Sequence, residues 1–336
     1  MERSGFQSSR IAIVVIGRNE GDRLIGCLSS LKGSGCVVAY VDSGSTDEST
    51  RRAEPFCQHI LELDLTRALS AARARNEGFA MVTEAHPDVS FVQFIDGDCT
   101  LLPGWLASAW EAMQEDPLRA IVVGPLEERR PEASIYNRLC ALEWRSPLGD
   151  LSNFGALGGI MFVRASAFAR LRGFNEQVIA GEDSDLGVRA SQAGFKVNKI
   201  AQPMATHDAD IQRFSQWWRR AVRSGHAIGQ RFSLHGSGPV RDCARERRSL
   251  LFWGFALPAA ILLLTLPTRG LSFLLASGYL VLWHRIAGYR RAQGDSIADA
   301  RLYARFVIIG KFAEALGFIR FQFNRLLGRY RIIEYK

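Results

Sequence analysis

Three apolar, β-branched runs that each end in a polar turn are the feature that most limits how this chain can fold. Ile11–Gly17 leads into Arg-Asn-Glu, residues 37–41 lead into the turn DSGSTD, and residues 91–95 lead into Asp-Gly-Asp. Runs of this length and composition are typical of buried parallel strands. Helix-like stretches over 24–31 and 71–80 separate them, so the pattern predicts βαβ units and a mostly parallel α/β sheet.

The polar turns are expected to form one site, because ligands of such sheets bind beyond the carboxyl ends of the strands. Asp96 and Asp98 flank Gly97 directly after the third run. Two carboxylates so close would repel each other in a dry site, and a divalent cation relieves that repulsion while leaving positions open for phosphate oxygens. The same three residues could also form a solvated turn.

The second turn offers Asp42, whose carboxylate could accept hydrogen bonds from a base or a ribose. Residues 43–47 could instead cap the helix that follows, with Thr46 or Asp47 at the N-cap position. Both roles are compatible with the sequence.

Two later elements carry candidate chemistry. Glu182, Asp183 and Asp185 lie within four residues of one another beside an apolar-periodic stretch. They could form an acidic first turn that the helix dipole favours, or one of them could be a general base. His207 could complete a metal site with nearby carboxylates, or it could be structural or solvated.

The charge of the chain points to an anionic surface. Its formal net charge is +8, and Arg residues are concentrated in 213–248 and 285–336. Such segments favour contact with phospholipids or nucleic acid. The chain has none of the aromatic-basic motifs of RNA-binding modules, so we expect a membrane partner and no nucleic acid.

An apolar hairpin over about residues 250–288 is predicted near the C-terminal end. Residues 250–267 carry no charge, and 270–284 form a second apolar run. Crossing a bilayer takes roughly 20 residues, and Arg residues on both flanks would keep both ends in the cytosol. A buried helical hairpin in a soluble protein is the alternative. Residues 298–330 interleave basic and apolar side chains, which predicts an amphipathic helix at the membrane surface.

The remaining compositional features indicate the cytoplasmic face of the plasma membrane. Six cysteines show neither a CxxC pair nor zinc-site spacing, which fits a reducing compartment. The polar N-terminus has no apolar signal core, so the first domain is expected to stay in the cytosol.

Six motifs in order carry a resemblance to a known family. IVVIGRNE, VDSGSTDEST, ARNEGFA, FIDGDCTLLPGWL, GGIMFVRASAFARLRGFNE and GEDSDLGVRASQAGF resemble the family 2 glycosyltransferases of GT-A fold, with a similarity over roughly 10–230. The aromatic-basic helix, the apolar hairpin and the terminal IIEYK are similar to membrane-associated bacterial members. The resemblance implies a GT-A nucleotide-sugar-binding domain, a Rossmann-like mostly parallel sheet, over 1–230. A membrane-associated helical region would follow over 231–336.

The resemblance also implies roles for individual residues. Asp183 would be the catalytic base, with Glu182 beside it orienting the acceptor. Asp98 and His207 would bind Mg²⁺ or Mn²⁺. The substrate-binding residues would line the turns and the floor of the site, namely Asn19, Glu20, Asp42, Arg75, Asp96, Gly158, Gly159, Arg219 and Arg220.

The implied activity is metal-dependent, inverting transfer of a sugar from a nucleotide-sugar donor. The acceptor would be lipid-linked or a glycan, in polysaccharide or glycolipid synthesis. Processive members carry QxxRW, whereas this chain has Gln216-Trp217-Trp218-Arg219-Arg220. The tryptophan is displaced, which favours transfer of a single sugar.

Two other functions are compatible with such a sheet. A nucleotide-sugar-forming nucleotidyltransferase would show a GxGxR signature after the first strand, but Gly17-Arg18-Asn19-Glu20 stands there. A catalytically degenerate membrane scaffold is the non-enzymatic alternative. The retention of Asp42, Asp96, Asp98 and Asp183 is a point against it.

Overall fold

The computed structural model of the chain describes residues 5–155 and 157–328. The chain forms two compact units. Unit 1 comprises Met1–Arg130 and Glu143–Ala209, and unit 2 comprises Pro131–Leu142 and Asp210–Lys336. The predicted domain boundary at residue 230 stays a prediction, and the terminal IIEYK motif lies outside the described residues.

The strands belong to unit 1. In chain order they are β1 (Ile11–Gly17), β2 (Val37–Asp42), β3 (His59–Glu62), β4 (Phe91–Asp96), β5 (Cys99–Leu101), β6 (Arg119–Val123), β7 (Leu126–Glu128), β8 (Gly149–Asp150), β9 (Met161–Arg164), β10 (Lys196–Lys199) and β11 (Ala205–His207).

The α-helices are distributed over both units: those from α8 onward lie in unit 2, as does α5 except for its last residue. They are α1 (Asp22–Ser30), α2 (Ser49–Ala53), α3 (Ala71–Ala85), α4 (Trp105–Glu115), α5 (Ile135–Glu143), α6 (Ala165–Arg170), α7 (Glu182–Gln192), α8 (Phe214–His235), α9 (Ala244–Leu251), α10 (Leu257–Leu264), α11 (Ser277–Ala292) and α12 (Ile297–Leu326).

The main sheet has the strand order β3-β2-β1-β4-β9-β6-β10-β8. Strands β3, β2, β1 and β4 are parallel, and β9 runs antiparallel between β4 and β6. The prediction of a mostly parallel α/β sheet is therefore confirmed. The antiparallel β9 was not predicted, because a short strand such as MFVR takes its direction from its neighbours and not from its own sequence.

The register of the central strands aligns the polar turns at one edge of the sheet. Gly17, the last residue of β1, is opposite Asp42 of β2, and Ile16 is opposite Asp96 of β4. Ile11–Gly17 is buried up to its last residue, because a central parallel strand is covered on both faces. The buried strands thus end together where their polar continuations begin.

A second sheet of three short strands, β5-β11-β7, places a histidine beside the Asp-Gly-Asp turn. His207 of β11 is opposite Cys99 of β5 on one side and Glu128 of β7 on the other. This small sheet brings together parts of the chain that are separated by more than a hundred residues in sequence.

Unit 2 is helical, and its closest helix crossing joins α8 to α12. A Cβ at Gly225 of α8 would overlap the carbonyl oxygen of Glu314, and a Cβ at Gly317 of α12 would overlap that of Val222. The two glycines let the backbones approach each other, as small residues do at tight helix interfaces.

Two helical segments of unit 2 are long and apolar enough to cross a membrane. They are Ala244–Leu264 with 21 residues and Leu271–Ala292 with 22, and only 11% of each apolar window is buried within the chain. This exposure disagrees with the alternative of a buried helical hairpin. The helix predicted at 298–330 corresponds to α12, whose bounds are Ile297–Leu326.

Candidate functional site

Asn19 joins the loop after β1 to the loop after β2. Its backbone adopts φ 55°, a left-handed conformation in which Asn is more common than most residues. The side-chain Oδ1 accepts hydrogen bonds from the backbone N–H groups of Thr46 at 2.7 Å and Asp47 at 3.3 Å. In return, the Asn19 N–H donates to Ser45 Oγ at 2.9 Å. The side chain and the backbone N–H of Asn19 therefore both join the two loops.

Asp42 is buried and its carboxylate receives four protein hydrogen bonds. Tyr40 Oη donates at 2.8 Å and Ser45 Oγ at 2.5 Å to Oδ1, while the N–H groups of Gly44 and Ser45 donate to Oδ2 at 3.0 and 2.7 Å. A carboxylate offers about four lone-pair positions, so these donors saturate it. Asp42 shapes the loop in this structure, and its contact with a nucleoside stays a prediction.

Tyr40 and helix α2 flank the loop that Asp42 shapes. Burial raises the pKa of the Tyr40 hydroxyl, and its hydrogen bond to Asp42 raises it further. The N-cap position of α2 is Glu48, so the predicted cap at Thr46 or Asp47 is wrong by one or two residues. Asp47 still accepts from the Ser49 N–H at 3.0 Å, and its hydrogen bonds from Ser49 lower the pKa of its carboxyl group.

Glu20 lies between the first turn and the Asp-Gly-Asp turn. Its carboxylate pairs with Arg23 at 2.8 Å. Its Cγ atom would be 3.3 Å from a Cβ at Gly97. A larger residue at position 97 would therefore press against Glu20.

Arg75 of α3 bridges two of the predicted site carboxylates. Its Nη2 donates to Asp96 Oδ1 at 2.7 Å, and its Nη1 donates to Glu182 Oε1 at 2.8 Å. The guanidinium is 2% exposed and lies 5.5 Å from the ring centroid of Phe174. Burial acts to lower the pKa of Arg75, but the charges of Asp96 and Glu182 outweigh it, so the pKa is raised. The last residue of β4 and the first residue of α7 thus share one buried cation.

Gly158 and Gly159 form the floor beside this cation. Gly158 has φ 83°, and its N–H donates to Asp183 Oδ2 at 2.6 Å. A Cβ at Gly159 would overlap the Nη2 atom of Arg75. The two glycines therefore permit a loop that orients Asp183 and leaves room for Arg75.

The acids of the GEDSD motif have different partners. Glu182 is buried against Arg75, whereas Asp185 is 1% exposed and pairs with Arg189 at 2.8 Å. Arg189 also donates to the carbonyl oxygens of Leu171 and Gly173. Asp185 is thus a structural residue that anchors a loop, while Glu182 and Asp183 face the Arg75 and Gly158 side.

Asp98 and His207 have the geometry of a metal-binding pair. The distance from Asp98 Oδ2 to His207 Nε2 is 3.5 Å, and with Cys99 they form a group whose donor atoms all lie within 4.8 Å of one another. Cys99 Sγ donates to Asp98 Oδ1 at 3.3 Å. Burial raises the thiol pKa of Cys99 well above its ordinary value, and the Asp98 charge adds to this. Carboxylate oxygens suit Mg²⁺ and Mn²⁺ better than a thiol does, so Asp98, with the His207 imidazole beside it, offers the donors that fit such a metal.

Residues around the metal pair were not predicted from the sequence. The Trp144 ring packs edge-on against His207, with centroids 5.0 Å apart. Arg130 Nη2 donates to both carboxylate oxygens of Asp208, the residue after His207, at 2.8 and 3.2 Å. Neither Trp144 nor Arg130 lies in a recognisable motif, and only the pairing of β7 with β11 brings Arg130 close.

Asn76, next to Arg75, is another residue that sequence reasoning missed. Its Nδ2 donates to the Phe174 carbonyl at 2.9 Å, and its Oδ1 accepts from the Phe174 N–H at 2.8 Å. This holds Phe174 against the Arg75 guanidinium. The motif ARNEGFA was recognised, but nothing in it showed where the Asn side chain would point.

Arg219 and Arg220 belong to α8 of unit 2. Arg219 is exposed and donates to its own helix at the Ser215 carbonyl. Gln216 caps the helix, because its Oε1 accepts from the N–H groups of Gln212 and Arg213 at 2.9 Å each. The substrate-binding role of the two arginines stays a prediction.

Comparison with known sequences agrees with this geometry. The profile described as glycosyl transferase family 2 matches residues 12–178. The chain is 28% identical over 232 residues to a pre-mycofactocin glycosyltransferase of Mycobacterium tuberculosis, covering 67% of this chain and 48% of that protein. An N-acetylglucosaminyl-diphospho-decaprenol L-rhamnosyltransferase of the same organism is 29% identical over 152 residues, covering 38% of this chain and 45% of that one. The chain thus spans about half the length of the curated relatives it matches.

A solved structure shows the same fold. The mannosyltransferase PcManGT from Pyrobaculum calidifontis, in complex with GDP-Man and Mn²⁺, superposes with a TM-score of 0.61 at 19% sequence identity. The match covers 92% of this chain and 88% of that one. It confirms the prediction of a GT-A fold.

Proposed function

Because the chain belongs to glycosyl transferase family 2, we propose that it moves a single sugar from a nucleotide-sugar donor to a lipid-linked or glycan acceptor. The observation that carries the proposal is the Asp98–His207 pair, 3.5 Å apart at the carboxyl edge of the parallel sheet. Both matched relatives are glycosyltransferases by name. The site chemistry below supports the same reaction.

Asp98 and His207 would hold the metal, and Asp96 would contact the ribose of the donor. A bound Mg²⁺ or Mn²⁺ would stabilise the negative charge that develops on the leaving diphosphate. An imidazole beside a carboxylate suits Mn²⁺ better than Mg²⁺, which prefers oxygen ligands throughout. Asn19 and Glu20 would line the nucleoside side of the cleft, and Asp42 would support it from beneath.

Asp183 would be the general base. Its Oδ2 accepts from the Gly158 N–H at 2.6 Å, and its position in the first turn of α7 favours a negative charge there. The carboxylate would take the proton of the acceptor hydroxyl as that oxygen bonds to the anomeric carbon. The bond from the anomeric carbon to the diphosphate oxygen breaks on the opposite face, so the configuration inverts.

Arg75 would hold Asp96 and Glu182 in position and would not contact the nucleobase of the donor. Its terminal nitrogens Nη1 and Nη2 bind Glu182, beside the proposed catalytic base, and Asp96, on the donor side. Glu182, held in this way, would orient the acceptor, while Gly158 and Gly159 would form the floor under the donor sugar.

The C-terminal region would anchor the enzyme to a bilayer. Ala244–Leu264 and Leu271–Ala292 are long enough to span it, and the Arg residues at both ends of this hairpin favour the cytoplasmic face of the inner (plasma) membrane. A GT-A domain over 1–230 would then carry out the transfer, and a membrane region over 231–336 would anchor it. Arg219 and Arg220 on α8 would meet phosphate groups of the donor or of lipids.

A thermal-shift panel tests the proposal. UDP, GDP, ADP, dTDP and CDP would each be added to the detergent-solubilised chain with and without Mn²⁺, with Asp98→Ala alongside. A ligand that binds only the folded state raises the unfolding temperature by mass action. We expect one nucleotide to shift the wild type in a metal-dependent manner and not the variant. If no nucleotide shifts folded protein, the degenerate-scaffold alternative is favoured and the proposal is wrong.

A further inference from the structure

An apolar groove lies on the surface of unit 2 between the segment around α9 and helix α12. The cavity has a volume of about 190 Å³ and is lined almost entirely by carbon atoms. Phe255 and Phe323 in its walls are 57% and 60% exposed. The residues that matter for its chemistry are Leu251, Phe255, Phe318, Ile319, Gln322 and Phe323.

Arg247 lies beside Phe318, one of the groove residues, and no carboxylate in the described part of the chain forms an ion pair with it. Its Cζ is 4.5 Å from the ring centroid of Phe232 and 5.8 Å from that of Phe318, one of the groove residues. It precedes Leu251 by four residues on the same helix, so both side chains lie on one face. The groove thus has a cation beside an otherwise apolar surface.

This combination selects the chemistry of the occupant. A guanidinium binds phosphate through two parallel hydrogen bonds, and the stacking of Arg247 on two aromatic rings leaves its edge available for such a partner. A peptide would bring backbone N–H and C=O groups into a groove that offers them almost no polar atoms, which is unfavourable. A hydrocarbon chain has no such requirement. The groove is also built in part from Ala244–Leu264, one of the two segments suited to a membrane.

We propose that the groove binds one anionic phospholipid molecule, with its phosphate on Arg247 and one acyl chain against Phe255, Ile319 and Phe323. The proposal rests on the membrane association in the proposed function, but not on its sugar-transfer chemistry. The lipid would be a bound component of the protein and not the acceptor. It would fix the depth at which α9 enters the bilayer.

The test compares two neighbouring arginines. The wild type, Arg247→Gln and Arg248→Gln would be purified in mild detergent, incubated with phosphatidylglycerol, and examined by native mass spectrometry for bound lipid. Among the described residues, the exposed Arg248 side chain donates only to the Ala244 carbonyl of its own helix. Its variant has the same net charge as Arg247→Gln and serves as the matched control. We expect one retained lipid on the wild type and on Arg248→Gln. For Arg247→Gln we expect about tenfold weaker retention, the effect of one charge-assisted hydrogen bond.

Additional probes identify the occupant. Inorganic phosphate and phosphatidylcholine would be tested in place of phosphatidylglycerol, and Ile319→Gln would place a polar group in the groove wall. Weaker lipid retention by Ile319→Gln supports an acyl chain in the groove. Equal retention of phosphatidylcholine and phosphatidylglycerol would overturn the proposal, as would binding of inorganic phosphate with no retained lipid. Equal losses for the two arginine variants would also overturn it. A species of twice the chain mass without bound lipid would show that a second copy of the chain occupies the groove.

Controls separate this proposal from the proposed function. The nucleotide-dependent thermal shift, measured on Arg247→Gln, reports whether that variant is folded. A wild type that shifts with nucleotide but retains no phosphatidylglycerol contradicts the lipid site alone. A wild type that retains the lipid but shifts with no nucleotide contradicts the sugar-transfer proposal alone.

Discussion

Arg75 Nη1 donates to Glu182 Oε1 at 2.8 Å, a buried ion pair between residues 107 positions apart in sequence. The same guanidinium binds Asp96, so removing it leaves two carboxylates near each other without a counter-charge. We expect Arg75→Gln to lower the free energy of unfolding by about 3 kcal/mol, since breaking a buried pair from one side is costly. Urea unfolding monitored by tryptophan fluorescence measures this.

A surface pair provides the control for that experiment. Arg52 pairs with Asp22 at 2.6 Å, but Asp22 is 96% exposed, so Arg52→Gln should change the free energy of unfolding by less than about 1 kcal/mol. Arg75→Lys should give an intermediate loss, because one ammonium cannot reproduce the planar fork that reaches both acids. Equal effects of Arg75→Gln and Arg52→Gln would contradict the bridging role.

Asp183→Asn should abolish base catalysis while sparing donor binding. The Asn side chain can still accept from the Gly158 N–H but cannot take a proton. We expect kcat for sugar transfer to fall by about 10²–10⁴-fold, with the donor affinity changed by less than about twofold because the ground-state contacts remain. A radiolabelled-donor transfer assay and a nucleotide titration measure the two quantities. Asp88→Asn, at an exposed position, is the control, and normal turnover by Asp183→Asn would refute the assignment.

His207→Gln should weaken metal binding, whereas Cys99→Ser should not. His207 Nε2 faces the Asp98 carboxylate at 3.5 Å, while a thiol such as that of Cys99 suits soft metals and is a poor ligand for Mn²⁺. We expect His207→Gln to need at least about tenfold more Mn²⁺ for the same nucleotide-dependent thermal shift. Titration of Mn²⁺ at saturating nucleotide provides the readout. If Cys99→Ser had the larger effect, the thiol would be a ligand after all.

The α8–α12 crossing should tolerate no side chain at its two glycines. Gly225→Ala and Gly317→Ala each place a Cβ on a carbonyl oxygen of the facing helix, and overpacking of this kind costs about 1–3 kcal/mol. Gly288→Ala is the matched control, because a Cβ there meets nothing within 4 Å. It should be neutral or more stable by up to about 1 kcal/mol through helix propensity. Thermal unfolding in detergent distinguishes these outcomes.

His226 should make unit 2 sensitive to acid. It is 2% exposed, and neither ring nitrogen has a hydrogen-bond partner among the described residues. Burial lowers its pKa to about 4, from 6.5. The unfolded chain therefore binds a proton that the folded chain does not, and stability falls as the pH drops from about 6.5 to about 4. The full effect is at most about 3 kcal/mol.

Replacing this imidazole tests the sign of the effect. His226→Leu fills a similar volume and cannot be protonated, so its unfolding temperature should exceed that of the wild type at pH 4.5 by more than at pH 8. Unfolding scans across this range measure the difference. A constant difference between the two proteins at all pH values would show that His226 does not titrate on unfolding.

Local sequence patterns predicted the strands that build the site, but not the contacts that complete it. The runs at Ile11–Gly17, 37–41 and 91–95 became β1, β2 and β4 with bounds changed by at most one residue, because a buried parallel strand has a strong apolar signature. The parallel order then placed their polar turns together. Asp183, Gly158 and His207 were recognised by motif, yet neither the Gly158–Asp183 hydrogen bond nor the Trp144 ring beside His207 was predicted, since pairing between distant segments has no local signal.

The division of the chain shows the same limit. Residues 131–142 belong to unit 2 although they stand between two segments of unit 1. Within unit 2, Asn137 Oδ1 accepts from the Ile211 N–H at 3.0 Å, and Ser134 Oγ donates to the Ile211 carbonyl. These contacts join positions more than seventy residues apart. No change in composition marks the segment, so a boundary drawn along the sequence does not include it.

Asn19 couples the motion of the loop after β1 to that of the loop after β2, although the residues that it joins are 26 to 28 positions apart. Its side-chain Oδ1 accepts from the N–H groups of Thr46 and Asp47, and its backbone N–H donates to Ser45 Oγ. Neither loop can leave its native position without breaking hydrogen bonds of the other, so the two should fluctuate as one cooperative unit. In native-state hydrogen exchange, the amides of Asn19 and Thr46 would then share a single opening free energy. Asn19→Ala keeps only the backbone bond to Ser45, so it would lower the opening free energy at Thr46 below that at position 19.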